Sequence, residues 1–75
     1  MTHSIRPGIY EHYKGNKYRV IGVARMSGET EEEMAVYQAL YGEYGMWIRS
    51  AAEFVEEVEL DGKRVPRFRL IIPTM

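Results

Sequence analysis

Apolar and polar positions alternate along most of this chain with a period of two, the mark of extended strands whose two faces meet different surroundings. The first such run is Gly8 to Lys14, where Ile9, Tyr10, Glu11, His12 and Tyr13 take alternate sides, after a leader of residues 1–7 that is expected to be flexible and ends at Pro7-Gly8. Gly15-Asn16 is a two-residue turn signal. It sets Tyr13 opposite Tyr18, His12 opposite Arg19, Glu11 opposite Val20 and Tyr10 opposite Ile21, so that Tyr10, His12, Arg19 and Ile21 share a face. The second strand, Lys17 to Met26, is apolar on both sides of Gly22, as expected of a strand covered on both faces or bent at its glycine. Ser27 to Glu32 is a polar loop.

The stretch from Glu33 to Arg49 organises the rest. Two apolar runs rich in β-branched and aromatic residues are broken only at Gly42-Glu43-Tyr44-Gly45, a β-hairpin pattern. A three-residue loop, Glu43-Tyr44-Gly45 with Gly45 left-handed, pairs Tyr41 with Trp47, Leu40 with Ile48 and Ala39 with Arg49. Alternation then puts Val36, Leu40, Met46 and Ile48 on one face, expected to be the core, and Tyr37, Tyr41, Trp47 and Arg49 on the other, expected to face outward.

Ser50-Ala51-Ala52-Glu53 has the spacing of a capping box, which predicts a short helical turn near residues 51–57 with Phe54, Val55 and Val58 directed inward. Asp61-Gly62 is a second turn dipeptide; it folds Glu57–Leu60 against Lys63–Pro66, with Glu59 opposite Arg64 and Val58 opposite Val65. Phe68 to Ile72 forms a last strand whose apolar tail must be covered. The expected fold is mainly β: residues 8–72 as a single small SH3-like barrel of about five antiparallel strands with that one helical turn.

Composition narrows the function classes. The chain has 75 residues, 45% apolar and 28% charged, enough for one small core, and no cysteine, which removes disulfides and thiolate metal sites. No apolar run is long enough for a signal peptide or a membrane span, which points to the cytoplasm. The net charge of −1 is unevenly spread, with basic residues toward both ends and acidic residues in the middle, as complementary neighbouring strands would require. A nucleic-acid binder is usually net basic.

The residues Gly8-x-Tyr10-x-His12-Tyr13-Lys14-Gly15-x-x-Tyr18-x-Val20-x-Gly22-x-Ala24, then Val36-Tyr37-x-Ala39-Leu40-Tyr41-Gly42, Trp47-x-Arg49, Phe54 and Asp61-Gly62-x-x-Val65-Pro66-Arg67-Phe68 resemble the bacterial family known as domain of unknown function 1653. The resemblance covers residues 8 to 69. It implies a stand-alone bacterial domain with an SH3-like small β-barrel and no established activity. Where the family pattern has Arg-His-Ser, Arg25 is followed here by Met26-Ser27-Gly28, and its Trp-x-Arg-Pro is here Trp47-Ile48-Arg49-Ser50. The first departure removes a histidine, and with it support for metal or acid-base chemistry in that loop. The second exchanges a helix-starting proline for a capping serine.

Candidate chemistry is sparse. His12 is the only histidine in the folded region, with no second histidine at metal-ligand spacing, so neither a metal nor a cofactor is expected. No serine or threonine sits in a nucleophile motif, and no glycine-rich loop opens a helix to cradle phosphate. The runs Glu31-Glu32-Glu33 and Glu56-Glu57 read as solvated faces. What remains is an aromatic and arginine surface of Tyr37, Tyr41, Trp47 and Arg49, extended by Tyr10, His12 and Arg19, suited to hold a peptide, a protein or a small ligand without catalysis. Two alternatives use other features. Lys14, Lys17, Arg19 and Arg25 with Tyr18 would serve single-stranded nucleic acid, and Leu70-Ile71-Ile72 or the aromatic face would serve a dimer or another subunit interface.

Overall fold

The computed structural model describes residues 4–28 and 31–74. Seven strands and one helix follow in the order β1 (Gly8–His12), β2 (Lys17–Arg25), β3 (Glu33–Ala39), β4 (Met46–Ser50), α1 (Ala51–Phe54), β5 (Glu57–Leu60), β6 (Lys63–Pro66) and β7 (Phe68–Pro73). Five of them form one antiparallel sheet in the order β4-β3-β2-β1-β7, and β5 and β6 form a separate two-stranded ribbon. The expected count of about five strands describes the main sheet. No ladder joins β4 to β7 among the described residues, so the sheet is open where a closed barrel was expected.

Turn geometry sets each register, and in two hairpins it differs from the sequence expectation. In the first, Gly15 is not half of a two-residue turn but the last residue of a three-residue loop, Tyr13-Lys14-Gly15, with a left-handed φ of 107°. The Gly15 N–H donates to the His12 carbonyl at 2.7 Å and the His12 N–H to the Asn16 carbonyl at 2.8 Å. Tyr10 therefore pairs with Tyr18 and Ile9 with Arg19. The offset from the expected register is three residues, an odd number, and it exchanges the faces: Arg19 lies across the sheet from Tyr10 and His12.

In the central hairpin the connection runs from Leu40 to Gly45. Gly42, at φ 60°, begins a tight turn in which the Tyr44 N–H donates to the Tyr41 carbonyl at 3.0 Å, and Gly45 is not left-handed. Tyr37 then pairs with Trp47, Val36 with Ile48 and Ala35 with Arg49. This offset is four residues, an even number, so the expected division into two faces survives.

Which face is core is the reverse of the expectation. Ala35, Tyr37 and Ala39 are buried, whereas Val36 and Leu40 are half-buried and Met46 and Ile48 exposed. The cause is the path of the chain after β4. Ser50 Oγ accepts from the Glu53 N–H at 3.1 Å, as the capping box predicts, and α1 carries Phe54 over the tyrosine face. There Phe54 stacks on Phe68 of β7 at 4.2 Å between ring centres, and Tyr10 and Tyr37 meet Phe54 at 5.4 and 5.7 Å. Small side chains at Ala35 and Ala39 leave room for these rings beside Tyr37, and Val20 and Phe54 are the largest fully buried side chains. The helix ends at Phe54, shorter than the expected 51–57, so Val55 faces solvent and Glu57 already belongs to β5.

Two irregularities curve the sheet. Ile21 is an extra residue in β2 opposite β3, next to the glycine at which a bend was expected, and Ile71 is an extra residue in β7 opposite β1. A side chain at Gly8 would collide with the Ile72 carbonyl and Pro73, so only glycine allows β1 and β7 to approach so closely. Residues 1–3 of the expected leader lie outside the described residues. Ile5 packs against the core, the Tyr10 hydroxyl donates to the Arg6 carbonyl at 2.7 Å, and the Thr74 N–H donates to the Pro7 carbonyl at 2.9 Å.

The ribbon follows the expected register, Val58 opposite Val65 and Glu59 opposite Arg64. Alternation gives it one charged face, on which Arg64 Nε donates to Glu57 at 3.1 Å, and one largely apolar face of Val58, Leu60 and Val65, with Lys63 opposite Leu60. A two-stranded hairpin is marginal alone. This one is tethered by Arg67, whose N–H donates to the Glu56 carbonyl and whose carbonyl accepts from the Tyr13 N–H, both at 3.0 Å.

A candidate aromatic and arginine surface

The ring-bearing face is closed at its centre and open toward β4. Tyr37 and Tyr10, two of the expected ligand residues, are buried core residues and form the floor. Tyr41 and Trp47 are not covered: the indole, on edge strand β4, is 56% exposed. Arg49 follows Trp47 on the same face, half-buried, and Arg19 is absent from this face altogether. The structure thus brings together Tyr41, Trp47, Arg49 and His12 from the expected set, moves Tyr10 and Tyr37 beneath them, and removes Arg19.

Sequence reasoning placed Tyr18 only in a nucleic-acid alternative, yet it is the hub of this surface. Its ring meets Tyr37, Tyr41 and Phe68 edge-on at 5.3 to 5.7 Å, and its hydroxyl shares a hydrogen bond of 2.8 Å with that of Tyr41. Burial and that bond push the Tyr18 phenol up to about 12, so it remains a protonated donor at any physiological pH. The signal was present in the sequence, since a three-residue reading of the Tyr13-Lys14-Gly15 loop places Tyr18 beside Tyr10. For the nucleic-acid alternative the consequence is that a base stacked on Tyr18 would have Arg19 behind the sheet.

Arg49 is electrostatically prominent and poorly satisfied. Its guanidinium lies 3.6 Å from the Glu53 carboxylate, one helical turn on, and it makes no hydrogen bond among the described residues. Its Nε is closed to solvent without an acceptor, an arrangement that costs about 1–3 kcal/mol. Its charge is felt at both Tyr18 and His12.

His12 stands at the border of the surface. Its ring packs on Tyr13 at 4.5 Å and on Phe68 at 5.0 Å, and its Nδ1 accepts from the Lys14 N–H at 3.2 Å, which leaves Nε2–H as the ring's donor. Burial, then the positive charges of Lys14, Arg49 and Arg67, hold its pKa below the ordinary value of 6.5. It is a neutral imidazole near pH 7. Leu70, from the expected dimer segment, packs against the core, while Ile71 and Ile72 are exposed. No helix among the described residues is long and apolar enough to cross a membrane.

Known proteins bear on this surface only through kinship. No curated protein matches the chain. A crystal structure of a DUF1653 protein from Bordetella bronchiseptica is similar to it, with a TM-score of 0.85 and 35% identity, over 100% of this chain and 97% of that one. The family described as "Protein of unknown function (DUF1653)" matches residues 8–70. With most of its length so matched, this chain belongs to the DUF1653 family.

Proposed function

We propose that this domain is a non-catalytic, SH3-like binding module of the bacterial cytoplasm, with a recognition surface built from Tyr18, Tyr41, Trp47 and Arg49 over a floor of Tyr37. The observation that carries the reading is the state of Arg49: a half-buried guanidinium in a 3.6 Å ion pair with Glu53 and without a hydrogen bond among the described residues, on the same strand face as the exposed indole of Trp47. An acceptor-rich group from outside pairs with the terminal nitrogens of the guanidinium, Nε being closed to solvent, and flat rings supply stacking area for a peptide or another planar body. Nothing in the arrangement activates a nucleophile. The neutral His12 has no serine or carboxylate hydrogen bond among the described residues, its Nδ1 being taken by a backbone N–H.

Trp47 is the chain's single tryptophan and reports directly. Short acidic peptides are expected to change its fluorescence saturably, and basic peptides of equal length are not. Arg49→Gln is expected to weaken the acidic set by at least about tenfold, the size of a lost charge-assisted hydrogen bond. Trp47→Ala, by contrast, is expected to leave the melting midpoint close to that of the parent chain. Identical titrations for acidic and basic peptides would end the proposal.

A further inference from the structure

A concavity borders the aromatic surface at His12, where the β1–β2 turn, β7 and the β5–β6 ribbon meet. Its volume is about 300 Å³, at the lower end of the range of small-molecule sites. Its apolar lining is Leu60, Val65 and Pro66 from the ribbon, with Tyr13 from the turn. Its polar lining includes His12 and Arg69. Leu60 is 41% exposed although it sits on the ribbon's apolar face, so the main sheet does not fill the space beside it.

The charged groups that line this cleft are one carboxylate and one guanidinium. Glu11 is its one acid, and that carboxylate is taken twice, by an Arg69 hydrogen bond and by Lys17 Nζ at 3.9 Å. Lys17 approaches that same carboxylate from outside the cleft, and the Arg69 side chain is 64% exposed, with nitrogens to spare. The neutral His12 adds a ring N–H donor without adding charge. An ammonium ligand would find its only carboxylate already neutralised, whereas a carboxylate would find open donors.

We infer that the cleft between the first hairpin and the ribbon binds a small organic monoanion with an apolar body, its carboxylate at Arg69 and its hydrocarbon part between Tyr13 and the Leu60, Val65 and Pro66 wall. The site meets the Trp47 surface at His12 but is lined by none of Tyr18, Tyr41, Trp47 and Arg49, so either can exist without the other.

Three probes that share one body test it: phenylacetate, phenylacetamide and phenethylammonium, titrated into the isotopically labelled chain while backbone amide shifts are followed. Phenylacetate is expected to move the amides of Tyr13 to Gly15 and of Leu60 to Lys63, at least about tenfold more tightly than the other two. Arg69→Gln removes that preference, and Leu60→Ser weakens all three probes. Both positions are exposed, and an unchanged melting midpoint verifies that the fold persists. Arg49→Gln leaves the titration as it was. Equal binding of the three probes, shifts confined to the amides around Tyr41 and Trp47, or no shift up to the solubility limit would overturn the inference.

Discussion

On one face of the five-stranded sheet Tyr10, Val20, Ala35 and Tyr37 are closed off by α1 and Phe68; on the other, Met46, Ile48 and Ile72 stand in solvent. By hydrophobicity alone the assignment would be reversed, because the aliphatic face is the less polar of the two. The difference is the connection that crosses each one. A capped helical turn after β4 lays Phe54 over the tyrosines, while Met46, Ile48 and Ile72 on the aliphatic side are left exposed. That open side is also less continuous than its exposed residues suggest. The register places Gln38 and Arg19 in one row between Met46 and Ile9, so polar side chains interrupt the apolar strip.

The contrast predicts unequal responses to substitution. Phe54→Ala is expected to cost about 3–5 kcal/mol in denaturant unfolding, because the ring is fully buried and stacked and its loss leaves a cavity among rigid neighbours. A loss below 1 kcal/mol, measured against the cavity range, would mean that the closed face is not the core. A smaller effect is expected from pH. Folding holds the His12 pKa below its unfolded value of 6.5, so below that value the unfolded chain binds more protons than the folded one. The stability contributed by neutral His12 is complete above the unfolded pKa and is lost as pH falls from there through the folded value. Urea midpoints are therefore expected to drop between neutral pH and the onset of carboxylate titration, and His12→Gln to flatten that slope. The smallest effect belongs to the open face. Ile48→Thr, 57% exposed on an edge strand, is expected to stay within about 0.5 kcal/mol of the parent chain in the same unfolding assay.

Parts of this architecture were legible residue by residue. Asp61-Gly62 forced a two-residue loop and its pairing followed, and Ser50 with Glu53 announced the helical turn. Gly15 was ambiguous, since a glycine before asparagine closes a two-residue turn or ends a three-residue one, and choosing between them shifted β2 by an odd number and moved Arg19 across the sheet. The central hairpin tolerated a larger error. Four residues of slip kept Tyr37, Trp47 and Arg49 together, and the grouping was right although the turn was not. The choice of core face was beyond local pattern. It depends on where Phe54 and Phe68, separated from the hairpin in sequence, come to rest, and no alternation within β3 and β4 encodes that.

The pairing of β1 with β7 carries a consequence in time. Gly8 lies opposite Pro73 and His12 opposite Phe68, so the first strand waits for the last, and Phe54 has no stacking partner until Phe68 is in place. A chain emerging from the ribosome can form its early hairpins but cannot enclose its rings, and assembly of the interior is a single late event that depends on contacts distant in sequence.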